Sequence, residues 1–88
     1  MKGTVLAAML AFAFAHAVHA TPSDGQVNAL VKSIEAHGCR VTEANNVQVL
    51  RVSGLTEDEA TEVVDHLLET RQAVNTDNEL HLKTGKCR

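Results

Sequence analysis

Two cysteines, Cys39 and Cys87, are the residues of this 88-residue chain that could form a covalent cross-link. They are the only cysteines, and an even number in a short chain that carries an export signal favours a disulfide over two free thiols. The bond would close a loop of about 49 residues, worth roughly 4 kcal/mol in the chain-entropy model. We therefore predict a disulfide between them, with two unpaired thiols as the alternative.

Three histidines beyond the first 20 residues have side chains that ligate zinc or copper, namely His37, His66 and His81. Glu62 lies one helical turn before His66 and could add a carboxylate. None of these spacings matches a metal-binding motif, and the helix dipole also favours a histidine at a helix end, as at His37. A metal-binding protein that uses the three histidines is therefore the alternative function, and the main prediction includes no metal or cofactor.

The other possible nucleophiles show no catalytic pattern. The serines beyond residue 20 stand in no strand-turn-helix setting typical of a nucleophile, and the glycines form no phosphate-binding loop. A domain of roughly 68 residues also has little room for a ligand pocket of a few hundred Å³. We expect no enzymatic activity and no catalytic residue.

Four carboxylates recur at spacings of four, three and four residues and so form one stripe on a predicted helix: Asp58, Glu62, Asp65 and Glu69. Like charges at these spacings cost a few tenths of a kcal/mol each in an isolated helix. A solvated face explains the stripe most simply. The alternatives are a docking surface for a basic protein partner and a weak site for a divalent cation.

The first 20 residues have the form of a cleavable secretory signal. Lys2 supplies a basic start, an apolar run follows over residues 5–15, and Val18-His19-Ala20 is a small-x-small cleavage tripeptide. The apolar run is about half as long as the roughly 20 residues that a membrane span needs. We predict cleavage before Thr21, a single domain over residues 21–88, and a periplasmic or secreted location without membrane association.

Charge and composition argue against nucleic acid as a partner. Lys2 is one of eight basic residues, so seven bases stand against 11 acids beyond the signal. Both phenylalanines, Phe12 and Phe14, also lie in the signal, and the chain has no Tyr or Trp. A negative domain repels phosphate, and without aromatic rings it has nothing on which bases stack. The core must be aliphatic, and the expected partner is a protein of unknown identity.

Two helices are predicted from capping boxes and apolar stripes. Ser23 with Gln26 opens the first helix, which should run from Asp24 to His37, and Gly38 suits the left-handed position after it. Thr56 with Glu59 opens another helix that starts at Glu57 and should end near Gln72 or Ala73. Each helix carries an apolar stripe, formed by Val27, Leu30, Val31 and Ile34 in the first and by Ala60, Val63, Val64, Leu67 and Leu68 in the second.

The end of the chain predicts a β-hairpin. Residues 79–83 alternate between polar and apolar as a half-buried strand does, and Asn75-Thr76-Asp77-Asn78 is a cluster of turn formers. Residues 72–74 supply the first strand.

Periodicity does not settle residues 40–54. Three valines, at positions 47, 49 and 52, with a turn at Asn45-Asn46, favour a strand pair and an α-β-β-α-β fold. A start at Thr42 and a shared face for Ala44, Val47 and Leu50 favour a helix instead.

The spacing Leu50-x-x-x-Gly54-Leu55-Thr56, followed by the helix with Ala60 and Val63, resembles the helix-turn-helix core of winged-helix domains. This resemblance implies an α+β fold with three helices and a C-terminal hairpin. The order would be the first helix, a strand over residues 39–41, a helix over 42–52, the helix from Glu57, and the hairpin.

In winged helices the strand after the first helix pairs antiparallel with the last strand. The resemblance therefore places Cys39 beside Cys87, which agrees with the disulfide. A DNA-binding role does not follow, because the helix from Glu57 is acidic.

The run Gly38-Cys39-Arg40-Val41-Thr42-Glu43-Ala44 also resembles small uncharacterised exported proteins of bacteria, a likeness that implies no activity. The function expected from the sequence is a non-enzymatic exported binding or accessory module.

Overall fold

The first helix, α1, spans Asp24–Ala36 and begins at the predicted capping box. The Gln26 amide donates to Ser23 Oγ at 3.1 Å, and the Ser23 amide donates to Gln26 Oε1 at 3.0 Å. Gly38 follows the helix with a φ of 89°, and the next amide, of Cys39, donates back to the Ile34 carbonyl at 2.9 Å. This pattern is a Schellman motif, so the predicted helix is confirmed to within one residue at its end.

The computed structural model describes residues 21–88, and the predicted signal with its cleavage site lies outside them. The described chain forms an α+β domain in the order α1, β1 (Arg40–Val41), α2 (Asn46–Ser53), α3 (Glu57–Glu69), β2 (Ala73–Thr76) and β3 (Glu79–Leu82), closed by a short 3₁₀ helix (Gly85–Cys87). The α-β-β-α-β alternative is wrong, because residues 46–53 are helical and no hairpin turns at Asn45-Asn46.

Helix α2 begins four residues later than the predicted start at Thr42. A turn over residues 42–45 replaces the first helical turn. The side chain of Asn45 holds this turn: its Oδ1 accepts from the Thr42 amide at 2.8 Å, and its Nδ2 donates to the Arg40 carbonyl at 3.0 Å. These contacts occupy a carbonyl of β1 and the amide just after the strand, so the chain turns before it becomes helical. The helix ends at Ser53, and Gly54 caps it with a left-handed φ of 75°.

Helix α3 begins at the second predicted capping box, in which the Glu59 amide donates to Thr56 Oγ1 at 3.1 Å. It ends at Glu69, so the predicted end near Gln72 or Ala73 is wrong. Arg71 adopts a left-handed φ of 61°, and the Gln72 amide donates to the Leu67 carbonyl at 2.8 Å. This second Schellman motif turns the chain so that Ala73 enters β2 buried.

The predicted hairpin is confirmed, but Asn75 and Thr76, which were expected in the turn, belong to β2, and Asp77 and Asn78 form a two-residue turn. Both have positive φ, 54° and 65°, as a type I′ turn requires. Strand β3 ends at Leu82 rather than Lys83 and lies in the middle of a three-stranded antiparallel sheet of order β1-β3-β2.

One face of the sheet and the three helices enclose an aliphatic core. Its buried members come from every helix and from β2 and β3: Leu30, Ile34, Val49, Val63, Leu67, Ala73, Leu80 and Leu82. Ser33 is the one buried polar residue of the described part, and its hydroxyl donates to the Val49 carbonyl at 2.7 Å. That hydrogen bond joins α1 to α2.

The predicted disulfide is confirmed. Cys39, just before β1, is bonded to Cys87 in the 3₁₀ helix, with a Cα–Cα distance of 5.6 Å. Cys39 lies just after α1, and Cys87 lies in the 3₁₀ helix that follows β3, so the bond joins these two parts of the chain.

Candidate functional site

An open groove of about 670 Å³ lies between the start of α2, the first half of α3 and the turn of the hairpin. Five aliphatic residues form most of its floor: Val41, Leu50, Ala60, Val64 and Leu80. The sequence argument that so small a domain has little room for a pocket is therefore wrong. The space is a groove at the surface rather than an enclosed cavity, and a small domain can form such a groove.

The sheet register explains why the groove exists. Residues paired across strands share a face, so Ala73 and Leu82 form one row on the helix-facing side, while Val41, Leu80 and Asn75 form the next. The first row is buried under the helices. In the second row only Leu80 is buried, Val41 is half-buried and Asn75 is exposed. The helices therefore leave the turn end of this face uncovered.

The rim of the groove is polar and carries only negative charge. Its charged residues are Glu43, in the turn before α2, and Glu57, the first residue of α3. Both are exposed, and neither takes part in an ion pair within residues 21–88. No lysine, arginine or histidine of the described chain lines the groove. The uncharged part of the rim consists of Thr42, Asn46, Thr61, Asn75 and Asn78.

Two valines on α2 show which surface belongs to the groove. Val47 and Val52 are exposed to nearly the same extent, 62% and 60%. Val47 lines the groove and Val52 does not. The two positions offer a matched pair for testing binding in the groove.

The predicted acidic stripe lies on α3 beside the groove. Each of Asp58, Glu62 and Asp65 follows a groove-lining residue by one position, about 100° around the helix axis. Asp58, Asp65 and Glu69 are exposed and Glu62 is half-buried. None of the four is in an ion pair with another described residue. The stripe therefore extends the negative potential of the rim without lining the groove.

The three histidines do not come together. His37 follows α1, where its Nδ1 lies 2.7 Å from the Ser33 carbonyl, and His66 is in the last turn of α3. His81 is on β3 with its Nε2 3.3 Å from Glu79 Oε1. Within residues 21–88 no group of three or more His, Cys, Asp or Glu side chains is placed to hold a metal ion. The described residues therefore form no metal site from His37, His66 and His81.

Each serine of the described chain has a structural hydrogen bond. Ser23 caps α1, Ser33 bonds to α2, and the Ser53 hydroxyl donates to the Leu50 carbonyl at 2.6 Å. Both cysteines are in the disulfide.

Sequence reasoning missed the groove and its two glutamates. The sequence identifies Glu57 only as the first residue of a predicted helix, and Glu43 lies in residues 40–54, where periodicity does not choose between helix and strand. A search for carboxylates around an uncovered apolar row would have needed the sheet register, which the sequence does not contain.

Comparisons with family models, with curated proteins and with solved structures found no match to this chain. Among the helices in residues 21–88, none has the length and apolar character needed to cross a bilayer.

Proposed function

We propose that residues 21–88 act as a non-enzymatic binding module whose groove holds part of a partner protein. The observation that carries this proposal is the open aliphatic groove with its exposed Val47. Exposed aliphatic surface inside a concave site is favourable to cover, at about 25 cal/mol for each Å² removed from water. The serines and cysteines that could act as nucleophiles are held in structural bonds, which supports binding rather than catalysis.

We also propose that the domain is winged-helix-like. The order α1, β1, α2, α3, β2, β3 and the central place of β3 in the sheet support this assignment. In this fold α3 would be the helix that DNA-binding members use, and here its outer face carries Asp58, Glu62, Asp65 and Glu69. That face repels phosphate, so the proposed partner is a protein rather than a nucleic acid.

The proposed location is the periplasm or the outside of the cell. The disulfide supports it, since such bonds persist in oxidising compartments. Intact mass spectrometry of the protein from its native host tests the location: the mass should correspond to a chain that begins at Thr21. A membrane-bound species that retains all 88 residues would contradict it.

A capture experiment with two variants tests the binding function. The oxidised protein, purified after export of the full chain, is immobilised in wild-type, Val47→Lys and Val52→Lys forms. An extract of the native host's exported proteins is passed over each. A partner that binds in the groove should be retained by the wild type and by Val52→Lys and lost with Val47→Lys. If Val47→Lys retains the same proteins as Val52→Lys, or if nothing is retained, the groove is not the binding site.

A further inference from the structure

We propose that the groove binds an extended peptide segment that carries aliphatic side chains flanked by lysine or arginine. This inference rests on the proposed binding function and names the chemistry of its partner. Two features that meet at one place carry it, namely the aliphatic floor and a rim whose only charges are those of Glu43 and Glu57.

The floor selects the side chains of the partner. Val41, Leu50, Ala60, Val64 and Leu80 present only methyl and methylene groups, with no aromatic ring and no buried polar atom in need of a partner. A polar side chain placed on this floor would lose its hydrogen bonds to water and gain none. Aliphatic side chains have no such hydrogen bonds to lose, and they bury apolar area on both sides of the contact.

The rim selects the charge of the partner. Arg40, whose guanidinium could neutralise a glutamate, is paired with Glu79 through a 3.4 Å contact. His81 also contacts Glu79. Arg40 and His81 lie on the other face of the sheet, away from the groove. Glu43 and Glu57 therefore keep their charges free for a ligand. Three carboxylates of the acidic stripe, Asp58, Glu62 and Asp65, each lie one position beyond a groove-lining residue and add to this negative potential more weakly than the rim does. A cationic segment is therefore attracted and an anionic one is repelled.

The occupied edge of β1 and the rim asparagines favour a segment held by side chains rather than by strand addition to β1. Antiparallel pairing directs the Arg40 carbonyl and the Thr42 amide away from β3, to the open edge of β1. The carboxamide of Asn45 already occupies both groups, as a neighbouring strand would. A peptide therefore cannot pair with this edge. Three exposed rim asparagines, Asn46, Asn75 and Asn78, instead offer donors and acceptors that suit a peptide backbone.

A nuclear magnetic resonance titration tests the inference with defined probes. The exported, oxidised protein is labelled with ¹⁵N and titrated with three acetylated and amidated hexapeptides: Lys-Val-Leu-Val-Leu-Lys, Glu-Val-Leu-Val-Leu-Glu and Lys-Ser-Gly-Ser-Gly-Lys. The first should shift the amides of groove residues such as Thr42, Val47 and Thr61. The second and third should bind at least about tenfold more weakly, because the second reverses the charge and the third removes the aliphatic groups.

Matched variants locate the charge effect. Replacing the two rim glutamates, Glu43→Gln with Glu57→Gln, should weaken binding of the first peptide about fivefold, as expected for two exposed ion pairs. The control double variant, Glu62→Gln with Asp65→Asn, removes the same charge from the stripe and should change the affinity less than about twofold, since its carboxylates lie outside the groove. Thermal unfolding of each variant checks that the fold is intact.

The outcomes separate this inference from the binding function. If the anionic or the polar peptide binds the groove as tightly as the first, or if the rim variant binds like the wild type, the cationic aliphatic assignment is wrong while the groove stays a binding site. If no peptide shifts the groove amides but a partner is lost with Val47→Lys in the capture experiment, the inference also fails and the function stands. If no peptide shifts the groove amides and no partner is lost with Val47→Lys, both the peptide assignment and the binding function of the groove are wrong.

Discussion

The two ends of the sheet differ in how firmly the chain is held. At one end the disulfide joins Cys39 to Cys87, the Leu82 amide donates to the Cys39 carbonyl at 2.9 Å, and the Lys86 amide donates to Glu35 Oε2 at 2.9 Å. At the other end the hairpin turn stands beside the groove, and its residues Asp77 and Asn78 are exposed. We refer to these as the disulfide end and the groove end.

This difference indicates that one end of the sheet stabilises the domain while the other end carries the uncovered groove. A domain of this size buries only about 60% of its unfolded surface and is marginally stable without reinforcement. The disulfide end supplies that reinforcement with a covalent bond and the buried row of the sheet formed by Ala73 and Leu82. The groove end can then leave aliphatic residues uncovered and available to a partner. Substitutions at the disulfide end should therefore change the stability of the domain, and substitutions at the groove end should change binding.

Loss of the disulfide should have the largest effect on stability. The double variant Cys39→Ser with Cys87→Ser should lower the free energy of unfolding by about 2–5 kcal/mol, because the unfolded chain regains the freedom of the loop. Urea unfolding followed by circular dichroism measures the change. Peptide binding to the fraction that remains folded should be unaltered. A loss of stability below about 1 kcal/mol would contradict the role assigned to the disulfide end.

The two helix ends offer a paired test of left-handed backbone. Gly38→Ala should destabilise the protein by about 1–2 kcal/mol, since a side chain disfavours its positive φ although no atom lies within 4 Å of the added Cβ. Arg71→Gly should do the reverse and stabilise the protein by up to about 1 kcal/mol, after the entropy cost of glycine is subtracted. Thermal unfolding measures both changes. Opposite signs of the two stability changes would support this assignment, and a destabilised Arg71→Gly variant would show that the arginine side chain matters more than its φ.

The hydrogen bond between α1 and α2 should contribute less. Ser33→Ala should lower stability by about 1 kcal/mol, because the variant loses the buried bond to the Val49 carbonyl. Thr70→Ala is a suitable control, since its hydroxyl donates to a helix carbonyl at an exposed position. The control should lose less than about 0.5 kcal/mol in the same chemical denaturation. Similar losses of stability for the two variants would mean that the buried hydrogen bond of Ser33 contributes no more than an exposed one.

The smallest change is expected from the acidic stripe. The double variant Glu62→Gln with Asp65→Asn should be as stable as the parent or more stable by a few tenths of a kcal/mol, because it relieves repulsion between like charges along α3. A basic partner that does dock on the stripe should associate more slowly with this variant, and its association rate should depend less on salt. Stopped-flow measurements at two salt concentrations would detect this. A clear loss of stability would mean that the carboxylates have favourable contacts.

Much of the fold is predictable because its signals are local. Both capping boxes, the glycine after α1 and the two-residue turn act through contacts between residues a few positions apart, so their residue types reveal them. The disulfide was predictable for a different reason, since Cys39 and Cys87 are the two cysteines of the chain and can pair with each other. The end of α3 was missed because Arg71, which has no residue-type signal for a left-handed conformation, turns the chain.

Residues 40–54 and the groove were decided by tertiary structure alone. Val47, Val49 and Val52 favour a strand, whereas Ala44, Val47 and Leu50 share a helical face. The choice follows from the fit of α2 on α1, where Val49 is buried and its carbonyl accepts from Ser33. The groove exists because the helices cover one row of the sheet and leave the next open. That boundary depends on how helices and strands pack in space, which no local pattern of residues records.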